Sequence, residues 1–113
     1  MAARALTRGK TAQRLPDEHT TTAAEIEAAL AGLPGWTFEH DALAKSLKFG
    51  SFREALGFMV RAGSEAEAMN HHPVWTNVYN HVAIRLTTHD AGDKVTAKDV
   101  ELAQRMQKIS WVN

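Results

Sequence analysis

Residues 70–86 run Asn70-His71-His72-Pro73-Val74-Trp75-Thr76-Asn77-Val78-Tyr79-Asn80-His81-Val82-Ala83-Ile84-Arg85-Leu86. Trp75, Asn77 and Tyr79 alternate with Thr76 and Val78, and Val82, Ile84 and Leu86 alternate with His81, Ala83, Arg85 and Thr87. A period of two marks extended strands with one face buried. The stretch therefore predicts two strands joined near Tyr79-Asn80. Upstream, Pro73 biases His72 away from the α region, so an arriving helix must end near Asn70. One does arrive. Ser51 with Glu54 forms a capping box, and Phe52, Ala55, Leu56, Met59, Val60, Ala66 and Met69 follow at helical spacing. Gly57 and Gly63 each weaken that helix by about 1 kcal/mol relative to Ala, and their small size lets a second helix approach.

Outward from this unit the pattern repeats. Trp36-Thr37-Phe38-Glu39 alternates, His40-Asp41 fits a turn, and Leu43, Leu47 and Phe49 share one face of a further strand. Lys45 breaks that apolar face. Thr22 with Glu25 is a capping box ahead of Ile26, Ala29, Leu30 and Leu33, and Gly32, Pro34 and Gly35 stop the helix. Downstream, Ala91 to Lys94 is a loop. Thr96 caps a last helix with Asp99 at its third position, and Val100, Ala103, Met106 and Ile109 form its inner face. Trp36, Phe38, Phe49 and Phe52 are expected in the core. The fold class is α+β: a four-stranded antiparallel sheet covered on one face by three helices, in the order α-β-β-α-β-β-α.

Composition narrows the function. The 113 residues make one domain and can bury roughly two-thirds of their unfolded surface. There is no Cys, which excludes disulfides, thiolate catalysis and cysteine zinc sites. No apolar run nears the ~18 residues of a membrane helix. Thirteen Lys and Arg balance thirteen Asp and Glu, which argues against a direct nucleic-acid binder run on bulk charge. The charge is uneven, however. Residues 1–16 hold Arg4, Arg8, Lys10 and Arg14 and no acid. We therefore divide the chain into a basic N-terminal arm, residues 1–20, and a single domain, residues 21–113. The arm is Arg-rich and acid-free, as organellar transit peptides are, but lacks Ser. It also has no secretory core; a cytoplasmic location is expected, with organelle targeting left open.

Six His against one Tyr is the unusual count. His71 and His72 follow the long helix at once, with Glu67 on its last turn, and Thr88-His89-Asp90 stands where the last strand runs out into a loop. Loops at element ends are where chemistry sits on a rigid scaffold. Imidazoles from two distant segments suit a base and an acid in one cleft, since the unperturbed pKa is about 6.5. A carboxylate such as Glu67 would orient one of them. Spacing alone leaves other readings open: one His closing a helix end, His89 capping a strand, or His71, His72, His81 and His89 holding zinc. Against the metal, no pair has the i, i+4 helical spacing of metallopeptidases. His19 and His40 fall in loops, and His81 falls on the polar face of a strand. Trp75 and Tyr79 suit either core packing or stacking on a flat heterocycle.

Taken together, His71-His72-Pro73-Val74-Trp75-Thr76-Asn77-Val78-Tyr79-Asn80, Leu86-Thr87-Thr88-His89-Asp90 and Asp99-Val100-Glu101-Leu102-Ala103 closely resemble the pterin-4a-carbinolamine dehydratase family, from about Thr22 to Ile109. The resemblance implies a hydro-lyase, 4a-hydroxytetrahydrobiopterin dehydratase. Such an enzyme converts 4a-hydroxytetrahydropterin to quinonoid dihydropterin, recycling the cofactor of aromatic amino-acid hydroxylases. It implies His71, His72 and His89 as catalytic residues, with His72 also orienting the pterin. Glu67, Trp75, Thr76, Asn77, Val78 and Asp99 would bind substrate. No metal and no organic cofactor are expected. The implied partners are the pterin, further copies of the chain in a dimer or tetramer, and a hydroxylase. The alternative on the same fold is a non-catalytic assembly factor or transcriptional coactivator.

Overall fold

The computed structural model describes residues 19–109. They form α1 (Ala23–Leu30), β1 (Thr37–Glu39), β2 (Ala42–Lys48), α2 (Phe52–Met69), β3 (Val74–Val78), β4 (His81–Leu86) and α3 (Ala97–Gln107), with a 3-10 turn at His89–Ala91. The strands make one antiparallel sheet in the order β1-β2-β4-β3, as the expected element order requires. Residues 1–18 of the basic arm lie outside the described residues. Just beyond them, Thr20 bridges to Thr96 and the Thr21 N–H donates to Val95 O.

Register follows from burial. Leu43 faces Leu86 and Leu47 faces Val82, so these side chains enter the core from the same sheet face. A slip of one residue would turn all of them to solvent. Against this face pack Ala55, Phe58, Ala62 and Ala66 of α2 and Leu102, Ala103 and Met106 of α3. Phe58 is fully buried, and its truncation to Ala would cost about 3–5 kcal/mol. The β1–β2 turn places His40 at φ 51° and Asp41 at φ 60°, the left-handed pair that matches the twist of a two-residue hairpin. Tyr79 turns the second hairpin at φ 53°, rare for a bulky residue. The Asn77 amide holds it there by donating to Tyr79 O and His81 O.

The structure corrects the expected core at two residues. Phe38 and Phe52 are 41% and 46% exposed. Phe38 lies on a three-residue edge strand whose residues are all exposed. On α2 the apolar residues split into two faces. Ala55, Phe58, Ala62 and Ala66 meet the sheet, while Phe52, Leu56 and Val60, roughly 100–120° round the helix, face outward. Glu54 is also not the reciprocal partner of Ser51. Ser51 Oγ accepts the Glu54 N–H, but Glu54 Oε1 takes the Gly50 N–H. Lys45 does sit on the apolar face and is buried there, its Nζ donating to Pro34 O and Gln107 Oε1 at 2.9 Å each. Gln107 Oε1 also accepts from Trp36 Nε1. Burial lowers the Lys45 pKa.

Candidate functional site

The end of α2 sets the site. Asn70 adopts φ 51°, and the N–H groups of Asn70 and His71 donate to Glu67 O and Ala66 O, both at 3.0 Å. This Schellman closure stops the helix and fixes the backbone of His71. His71 is then buried against α3, whereas the next residue, His72, is exposed.

His71 Nε2 lies 2.6 Å from Asp99 Oδ1. Asp99 is the third residue of α3 and fully buried. Its Oδ2 accepts the Thr96 N–H at 2.9 Å and the Thr88 hydroxyl at 2.8 Å. The Thr88 proton being committed to Asp99, the Thr96 hydroxyl donates to Thr88 Oγ1 at 2.7 Å. A buried carboxylate needs such partners, and the positive end of α3 adds to them. Thr-x-x-Asp capping therefore does two jobs: it starts α3, and it aims a carboxylate at His71.

His89 opens the 3-10 turn after β4 and is 92% exposed at its side chain, with Nδ1 3.2 Å from Asp93 Oδ1. Its loop is closed by the Thr88 main chain. The Thr88 N–H donates to Lys94 O, and Thr88 O accepts the N–H groups of Ala91 and Asp93. His72 Nε2 in turn lies 2.8 Å from Glu67 Oε1, both side chains exposed. Each of the three histidines thus faces one carboxylate. A carboxylate only accepts, so it takes the proton-bearing ring nitrogen and leaves the lone pair on the other. In the neutral rings that other nitrogen is Nδ1 for His71 and His72 and Nε2 for His89.

The structure joins Glu67 to His72 and Asp99 to His71. Two hydrogen bonds, His71 to Asp99 and Asp99 to Thr88, reach the residue before His89. The segment from Trp75 to Val78 is divided. Trp75 is partly buried against the core, its Cη2 3.9 Å from where a Cβ on Gly63 would stand, an ordinary van der Waals distance. Asn77 serves the turn, and Thr76 and Val78 lie on the opposite, exposed side of β3. His81 is exposed on β4 opposite Lys48 and Val78. His40 is in the first hairpin turn, its carbonyl accepting from Arg85. Among the described residues no three His, Asp or Glu side chains converge as around a metal ion. A groove of about 910 Å³ lies elsewhere, lined by Glu25, Ala29, Glu65, Glu101 and Arg105 among others, and none of the three histidines lines it.

Three contributors escape sequence reasoning: Thr88 and Thr96 as the donors to Asp99, and Asp93 as the partner of His89. The only signals for them are the Thr96-x-x-Asp99 spacing and the i, i+4 interval from His89 to Asp93.

Residues 19–109 match the family described as pterin 4 alpha carbinolamine dehydratase. A protein of Opitutus terrae provisionally named pterin-4-alpha-carbinolamine dehydratase is 66% identical over 91 residues, covering 80% of this chain and 94% of its own length. A Burkholderia vietnamiensis protein with the same provisional name is 48% identical over 93 residues, covering 80% and 90%. A crystal structure described as a transcriptional coactivator/pterin dehydratase from Brucella melitensis superposes with a TM-score of 0.74 at 39% identity, covering 78% of this chain and 95% of that one.

Proposed function

Because the chain belongs to the pterin-4a-carbinolamine dehydratase family, we propose that it dehydrates 4a-hydroxytetrahydropterin to quinonoid dihydropterin by histidine acid/base catalysis. In the carbinolamine one carbon holds both a hydroxyl and a ring nitrogen. The nitrogen lone pair expels the hydroxyl, the C–O bond breaks, and the ring N–H proton leaves. A proton must reach the departing oxygen and another must be taken from nitrogen, so the net product is one water. Two placed imidazoles meet that need with no change of oxidation state.

The observation that supports this reading best is the buried His71–Asp99 pair linked through Thr88 to the His89 segment. It relates the buried His71 imidazole to the distant segment that carries the exposed His89. In this proposal His71, its tautomer held by Asp99, and His89, held by Asp93, exchange the two protons. His72, held by Glu67, binds and orients the pterin beside them, with the Trp75 to Val78 segment contributing contacts. Asp99 acts by orienting His71, because its two oxygens are already occupied by protein donors. A separate two-electron reduction then restores the product to the tetrahydropterin that aromatic amino-acid hydroxylases draw on, and in this proposal the enzyme works in the cytoplasm as a homo-oligomer. The Brucella relative's double description motivates a second reading, a coactivator or assembly role on the same fold. Following dehydration of 4a-hydroxytetrahydropterin generated in situ by a hydroxylase tests between them. Catalysis lost on replacing His71 or His89 supports the enzyme; the uncatalysed rate in the intact protein opposes it.

A further inference from the structure

We propose that Thr88 is a positioning residue that sets the relation between the two acid/base histidines, His71 and His89. The inference rests on the reading above. Thr88 is 3% exposed and is bonded in both directions. Its side chain donates to Asp99 Oδ2, and Asp99 Oδ1 holds His71. Its carbonyl accepts the Asp93 N–H at 3.0 Å, and the Asp93 carboxylate holds His89. One residue therefore anchors both carboxylates that orient the two rings. Its hydroxyl is pinned from the far side by Thr96, so the donor direction is single-valued. Chemically, the Thr88 hydroxyl fills an acceptor site on Asp99 Oδ2 and fixes the orientation of the carboxylate, and Oδ1 keeps the His71 proton on Nε2. Without the hydroxyl, Asp99 keeps only two donors in a fully buried position, and the His71 ring loses its fixed tautomer.

The test separates this role from simple structural support. Thr88→Val keeps the β-branched shape and removes the donor; Thr88→Ser keeps the donor and removes a methyl. Each is read by steady-state kinetics on 4a-hydroxytetrahydropterin and by the ring 15N shifts of His71. We expect Thr88→Val to lower kcat about tenfold while KM changes less than about twofold, and to shift the His71 ring signals away from the Nε2–H form. Thr88→Ser should stay within about threefold of the parent in kcat, with parental ring shifts. Unchanged His71 signals in Thr88→Val, or equal losses in both variants, would overturn the proposal. If Thr88→Val does not fold, Thr88→Ser still decides, since altered ring shifts there would contradict a hydroxyl-based role. If the parent protein itself fails to dehydrate the pterin, the functional reading falls. The ring shifts alone then decide whether Thr88 holds His71.

Discussion

At the scale of single residues, the three histidine–carboxylate pairs are chemically alike but differ in burial, and burial sets their worth. His71–Asp99 is buried, and removing one partner of such a pair strands the other without water. His72–Glu67 has side chains 57% and 80% exposed, where an ion pair is worth about 0–1 kcal/mol. Asp99→Asn is therefore expected to cut kcat by about 10²-fold or more, and Glu67→Gln by no more than about fivefold, in the same assay. Equal effects would remove the argument from burial. His89→Ala should cost about 10²-fold, while His40→Ala, in a remote hairpin turn, should change the rate by less than about twofold. Sequence alone reaches the histidines because their combination is specific. It cannot reach Thr88 as the partner of Asp99, because that contact joins residues 11 apart through tertiary packing and no local period marks it.

At the scale of elements, the legible parts are those with local causes. The capping box of α1 forms and Thr96 caps α3 as their spacing predicts, and both hairpins turn where alternation breaks. The second helix is harder. Phe58 and Ala62, absent from the expected apolar face, are fully buried, while Phe52, Leu56 and Val60 are outside. With apolar residues over so much of the circumference, periodicity cannot say which stripe meets the sheet. Lys45 is a second case. An amine on a core-facing position reads as a break in the pattern, yet Pro34 O and Gln107 Oε1 accept its protons. Burial lowers its folded pKa, so the unfolded chain keeps this proton to higher pH than the folded one. Between the folded value and about 10.5 the unfolded state binds more protons, and stability rises with pH. Urea unfolding should therefore show the parent gaining on Lys45→Met as pH approaches 10.5 from below. A difference that is flat or falling with pH would contradict the desolvation.

At the scale of the whole molecule, two apolar surfaces stand exposed among the described residues. Phe52, Leu56 and Val60 make a stripe along α2, and Val74 and Val78 stand exposed on the edge strand β3. Edges and stripes of this kind are normally covered or blunted, which supports self-association. Sedimentation at micromolar concentration should give a dimer or tetramer, and Leu56→Lys should lower the mass toward 12.4 kDa. A parent monomer would contradict the assembly without touching the histidine network, which lies within one chain. The enzymatic account itself meets its most direct test in one measurement. This is the rate of 4a-hydroxytetrahydropterin dehydration with the parent protein, His71→Ala and His89→Ala side by side. The account predicts catalysis by the parent and a loss of about 10²-fold or more in each variant. Parental rates in both variants, or no acceleration by the parent, would contradict it.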